Sequence, residues 1–225
     1  MGGREVQILL PVGYDERKRY GSVYVHSDEK STDWLCSTFH FEHYPFVTVI
    51  MNTEDRLSDY TPWKEPSLNP KFPDFGGKAD EYLNWILHEV KSYVEENYSV
   101  HSTPSSMGIV GYSLGGLFNL YLLCKTQVFG RVAAISPSVW YPKFVPYFEE
   151  NLLDVDVKVS IVAGENEGKG KNRVLQTVGK NILLTKKIIE NKQNLSLKIQ
   201  LDSYGHHQHL VNRYDQVFRD FSESL

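Results

Sequence analysis

The 225-residue sequence predicts an α/β protein, a mostly parallel central sheet with helices on both faces. Three observations carry this. Strand-like and helix-like segments alternate along the chain. Residues 46–51 (FVTVIM) form an unbroken apolar run of the kind buried on both faces of a parallel sheet. A second apolar run, residues 107–110, passes through Gly111-Tyr112-Ser113-Leu114-Gly115-Gly116 into an apolar helical stretch, which reads as strand, sharp turn, helix.

Taken in order, residues 5–11 (EVQILLP) make a first strand stopped by Pro11, with turn chemistry in Val12-Gly13-Tyr14-Asp15. Residues 21–26 (GSVYVH) are β-branched and aromatic and predict a second strand; residues 46–51 predict the third, placed centrally. Residues 52–77 carry Pro62, Pro66, Pro70 and Pro73 among several aromatics and have no sustained period. Such a segment walls a binding site or packs as a surface crossover. In residues 78–98, Tyr82, Leu83, Ile86, Leu87, Val90 and Val94 fall on one stripe of an amphipathic helix. After the sharp turn, residues 117–123 continue as a nearly all-apolar helix. Residues 132–135 and 157–163 are strands, ended by Ser136-Pro137-Ser138 and Gly164. Residues 172–190 predict a helix with Val174, Val178, Ile182 and Leu183 inward, weakened at Gly179 by roughly 1 kcal/mol. Residues 195–201 alternate as a last strand, and residues 211–221 suit a closing helix. No repeat, linker or low-complexity tract divides the chain, so one domain over residues 1–225 is expected.

With 41% hydrophobic residues the chain can bury a large core, and a formal charge of −4 with scattered lysines offers nucleic acid no basic face. Cys36 and Cys124 imply no disulfide framework and suit a reducing, cytoplasmic setting. The start, Met1-Gly2-Gly3-Arg4-Glu5-Val6, lacks the apolar core of a signal peptide, and Val6 stands where a myristoylation motif wants Ser or Thr. No apolar run reaches membrane-spanning length, so no membrane partner is expected.

The chemistry centres on Ser113. A serine hydroxyl is a poor nucleophile at neutral pH and needs a base within hydrogen-bond reach and a third group to orient that base. In hydrolases with this turn the order along the chain is Ser, acid, His, the last two on loops after later strands. Strand 157–163 runs into Gly164-Glu165-Asn166-Glu167, and strand 195–201 into a loop holding His206, His207 and His209. His206, directly after Gly205, is the chosen base, with His207 next and His209 third; Glu167 is the chosen acid, with Glu165 as the alternative. A zinc site on the three histidines lacks the accompanying carboxylate or cysteine set, so no metal and no cofactor are expected. Residues 164–171 (GENEGKGK) fail as a phosphate loop, because no Ser or Thr follows Lys169 and two carboxylates would repel phosphate. A tetrahedral intermediate needs two N–H donors: Leu114, after the nucleophile, and one from the turn after strand 21–26, where Glu29 is favoured over Asp28.

These motifs resemble the putative esterase family of α/β-hydrolases, which includes siderophore (enterochelin-type) esterases, S-formylglutathione hydrolase and feruloyl esterases. Beyond GYSLGG at residues 111–116, the stretch Asn52-Thr53-Glu54-Asp55-Arg56-Leu57-Ser58-Asp59-Tyr60-Thr61-Pro62 is similar to a far more specific family segment. Ile135-Ser136-Pro137-Ser138-Val139-Trp140 is similar to a loop of the siderophore-esterase branch, and Tyr204-Gly205-His206 to the family's Gly-His. The resemblance implies an α/β-hydrolase fold and an esterase with Ser113, His206 and Glu167 as its triad. One departure is Ser27-Asp28, where the family usually has Asp-Gly. It is the sole basis for a catalytically silent ligand-binding alternative, and acyl transfer on the same triad is another. The aromatics of residues 60–75 and 140–148 suggest a small-molecule ester with an aromatic acyl group, contacted by Trp140 and Trp63.

Overall fold

The computed structural model describes residues 4–28 and 30–223; the N-terminal reading at Met1–Gly3 and the donor assigned to Glu29 lie outside the described residues. In chain order the elements are β1 (Glu5–Leu9), β2 (Gly21–Asp28), α1 (Thr32–Phe39), β3 (Phe46–Thr53), α2 (Arg56–Asp59), β4 (Lys64–Glu65), β5 (Phe75–Gly76), α3 (Ala79–Trp85) and α4 (Lys91–Asn97). They continue with β6 (Met107–Tyr112), α5 (Leu114–Leu122), β7 (Arg131–Ile135), α6 (Phe144–Asn151), β8 (Val157–Gly164), α7 (Val178–Glu190), β9 (Leu195–Asp202) and α8 (Leu210–Ser222).

The seven-stranded sheet has the order β1-β3-β2-β6-β7-β8-β9, parallel throughout except where β1 runs antiparallel to β3. Side chains alternate between two cores, as the period of two requires. Tyr24, Val47, Val49 and Met51 join the core covered by α3 to α7, while Val23, Val25, Phe46 and Ile50 join the core covered by α1 and α8.

Two expectations change. β3 lies one strand in from the edge and β6 holds the middle, because the chain returns from β2 to insert β3 between β1 and β2. Local hydrophobicity reports burial on both faces, which β3 has, and carries no information on which strands flank it. In the 172–190 segment, Val174 is 36% and Leu183 is 52% exposed; the buried face is Val178, Ile182, Thr185, Ile188 and Ile189. Adjacent helical residues point about 100° apart, so with Ile182 inward Leu183 turns away, and Val174 lies ahead of the 3₁₀ turn at Leu175–Thr177, outside α7. The helix expected over residues 78–98 is present with a π turn at Ile86–Val90 between α3 and α4, and five of its six stripe residues are buried, with Leu87 half-buried. No helix among the described residues is long and apolar enough to cross a membrane.

Candidate active site

Ser113 stands between β6 and α5 with φ 58° and ψ −114°, a left-handed conformation that costs a residue bearing a Cβ roughly 1–3 kcal/mol. The surroundings hold it there. Its N–H donates to the Ile135 carbonyl at 2.9 Å, and its carbonyl accepts from the N–H of Ser138 at 3.0 Å and of Leu117 at 3.0 Å. A side chain at Gly111 would drive into the backbone of Gly115, so that glycine is obligatory. Gly115 is less constrained than its motif position suggests: a Cβ there would lie 3.3 Å from His26 Cβ.

His26, beneath Gly115, is buried and bonded through both ring nitrogens, Nε2 to Asn119 Oδ1 at 2.8 Å and Nδ1 to Tyr82 Oη at 3.0 Å. Asn119 uses its amide nitrogen on the Ala133 carbonyl, so its oxygen accepts and His26 carries its proton on Nε2. Burial pushes the His26 pKa down to about 4 against the opposing pull of the Asn119 bond. The unfolded chain protonates His26 near its ordinary 6.5 while the folded one resists until about 4. Stability should therefore fall by about 3 kcal/mol as pH drops across that window. Urea unfolding at pH 7, 5.5 and 4.5 should show a steeper loss for the wild type than for His26→Gln; parallel losses would remove His26 as the cause.

His206 is held on the loop after β9. Its Nδ1 lies 2.8 Å from Glu167 Oε2 and its Nε2 lies 3.0 Å from Ser113 Oγ, with the ring stacked on Tyr112 at 5.1 Å. A carboxylate only accepts, so Nδ1 donates to Glu167 and Nε2 turns its lone pair to the Ser113 hydroxyl. Glu167 sits in the turn leaving β8 with its side chain 1% exposed. Burial pushes its carboxyl up, but the His206 ring and the Gly164 N–H, 2.7 Å from Oε1, outweigh burial and hold it below its ordinary value. The hydroxyl of Ser138 lies 3.3 Å from Ser113 Oγ.

The runners-up lie elsewhere. The Glu165 side chain is exposed. His207 bonds through Nδ1 to Tyr112 Oη at 2.8 Å, and His209 lies 3.6 Å from Asp202 and stacks on Tyr204. Among the described residues no group of His, Cys, Asp and Glu is arranged to hold a metal ion.

Leu114 is the first residue of α5, so its N–H has no partner within the helix. In the turn after β2, the N–H of Asp28 donates to Ser31 Oγ at 2.9 Å, and those of Lys30 and Ser31 donate to Asp28 Oδ1. Asp28, the second choice for an oxyanion donor, is thus committed to its own turn.

A cavity of about 730 Å³ opens over Ser113, Leu114, Ser138 and His206. Phe72, Phe75 and Trp140 are among the lining, with Phe72 62% exposed, and the charged lining sets Lys30 and Arg56 against Asp28, Glu54 and Asp55. Trp63 is absent from this lining, a correction to its expected contact with substrate. Its ring packs 5.8 Å from Tyr141 and 5.3 Å from Tyr147, and its carbonyl accepts from Tyr141 Oη. A larger groove of about 820 Å³ between α6 and α7 meets the site only at Trp140.

Sequence reasoning assigns no role to Arg213, Ser136, Ser138 or Tyr112, although the last three lie inside motifs it names, Ser136-Pro137-Ser138 and Gly111–Gly116.

A parallel sheet of this order, with a serine on the strained turn after its middle strand and a histidine loop after its last, defines an α/β-hydrolase. The chain belongs to the putative esterase family, whose model matches residues 2–225, and it is a carboxylic-ester hydrolase. It is 28% identical over 225 residues to an uncharacterised protein, YbbA, of Bacillus subtilis (strain 168), covering 95% of this chain and 90% of that one. In structure it is similar to an IroE-like serine hydrolase from Shewanella oneidensis, with TM-score 0.81 and 22% identity over 98% of this chain and 76% of that one. A ferulic acid esterase from Anaeromyces mucronatus is also similar, with TM-score 0.66 and 21% identity over 98% of this chain and 84% of that one.

Proposed function

We propose that the chain acts as one catalytic domain in which Ser113 is the nucleophile, His206 the general base and Glu167 the group that orients and charge-balances the imidazole. The carrying observation is the unbroken hydrogen-bond chain from Ser113 Oγ through both nitrogens of His206 to Glu167. Ser113 Oγ attacks the ester carbonyl as its proton passes to His206 Nε2. The carbonyl oxygen, now negative, takes the N–H of Leu114, and the imidazolium is stabilised by Glu167. His206 returns the proton to the departing alkoxide, leaving Ser113 acylated. Water, giving a proton to the same nitrogen, then attacks the acyl carbon; the bond to Ser113 Oγ breaks, Nε2 returns the proton to that oxygen, and the acid leaves.

The substrates are small-molecule esters, and within that class we assign a flat aromatic acyl group. Phe72, Phe75 and Trp140 line the cavity next to the nucleophile, and one similar structure is a ferulic acid esterase in complex with ferulic acid. Rigid rings bury large area on such walls at little entropic cost, whereas a long flexible chain loses rotamer freedom. A series of esters with a common p-nitrophenol leaving group should give a kcat/KM at least about tenfold higher for aryl-acyl than for long-chain acyl members, a difference of about 1.4 kcal/mol. Trp140→Ala should erase most of that difference. A wild-type preference for long chains would overturn the acyl assignment, and failure to hydrolyse any member would count against the catalytic roles.

A further inference from the structure

Arg213, on α8, is buried with its side chain 1% exposed, and every N–H of its guanidinium is used. Nε and Nη2 grip the two oxygens of Asp202, each at 2.7 Å. Nη1 donates to Glu167 Oε1 at 3.0 Å and to Ser136 Oγ at 2.6 Å, and Nη2 also reaches the Gly205 carbonyl at 3.2 Å. One side chain thus joins the turn after β7, the acid turn after β8, the end of β9 and the residue just before His206. A Cβ on Gly164 would overlap the Tyr204 carbonyl oxygen and lie 2.6 Å from Nη2, so the start of the acid turn is packed against both the His206 loop and the guanidinium.

Resting on the catalytic roles given to Ser113, His206 and Glu167, we propose that Arg213 is the positioning residue of this site: it fixes the Glu167 carboxylate and the His206 loop in one frame and keeps Glu167 ionised. Without Arg213, Glu167 would keep only its bonds to His206, the Gly164 N–H and the Ser136 hydroxyl, which Nη1 itself holds in place, and a buried carboxylate without a nearby cation tends to take up a proton. A protonated Glu167 cannot balance the imidazolium. The charged groups around the pair are Arg213, Asp202 and His209 on one side and His207, Tyr112, Arg56 and Asp28 on the other. Of these, only Arg213 donates to the Glu167 carboxylate among the described residues.

The test is the pH profile of kcat together with a double-mutant cycle, both scored on the activity that Ser113→Ala removes. Glu167 and His206 share protons, so their apparent pKa belongs to the pair. Removing a neighbouring positive charge raises it wherever the proton resides. Arg213→Met should therefore lower kcat by about 50-fold and move the acid limb of the profile up by about one pH unit, with KM within about twofold. Arg213→Lys keeps the charge and loses the fork. It should leave the limb in place and lower kcat by about fivefold in the wild-type background but less than about twofold in Glu167→Gln. Equal losses in both backgrounds, an unmoved limb in a folded Arg213→Met, or no loss in either variant would overturn the proposal. Should Arg213→Met fail to fold, the Lys cycle decides alone; failure of both to fold would make Arg213 a stability residue and overturn it too. Activity that survives Ser113→Ala would instead defeat the catalytic reading itself, so the two failures are distinct.

Discussion

Ser113→Ala is expected to lower kcat for p-nitrophenyl acetate by on the order of 10⁴- to 10⁶-fold and to abolish labelling by a fluorophosphonate, with the urea midpoint unchanged. The loss is large because, in the proposed mechanism, the hydroxyl is the atom that forms the acyl bond, and neither His206 nor Leu114 has anything to act on without it. The fold should tolerate the change, since alanine carries the same Cβ into the same backbone angles and the bonds at Ser113 N and O are made by the main chain. A folded mutant of wild-type activity would end the nucleophile assignment.

The second large effect separates two adjacent histidines. His206→Ala should cost about as much as removing the serine, because members of a triad act as a unit. His207→Ala should change kcat by less than about tenfold, since its Nδ1 is engaged by Tyr112 and it contacts neither Ser113 nor Glu167 among the described residues. Parallel kcat measurements on the two variants, with circular dichroism to confirm folding, decide between them. A reversed order would transfer the base to His207.

Much of this architecture could be read in advance wherever the signal is local. Strand against helix follows from apolar periodicity, and the strand before and the helix after Gly111–Gly116 lift the motif above chance. Chain order points to the two loops that carry Glu167 and His206, and in space His206 bonds Ser113 on one side and Glu167 on the other. Information fails where an outcome is set by partners distant in sequence. The place of β3 depends on which strands it joins, and Val174 falls off the α7 stripe because a 3₁₀ turn that periodicity does not register lies between them. Arg213 is the sharpest case. On an amphipathic closing helix an arginine reads as a solvated charge, and only the convergence of three strand ends on one point turns it into the most completely bonded side chain near the site. The aromatics behave similarly: Tyr60, Tyr141, Phe144 and Phe148 are spent on the core, and composition could not say which few rings would be left for the cavity.

The left-handed backbone at residue 113 sets the protein's two selective demands against each other. Judged on folding alone, glycine is the better occupant, because it accepts those angles without the Cβ penalty. A library of variants ranked by thermal tolerance would therefore drift toward sturdier proteins that had lost their reactive oxygen, and the drift would look like success until turnover was measured. Improvement of this scaffold has to be scored on catalysis at every round, with residue 113 held out of the randomised set.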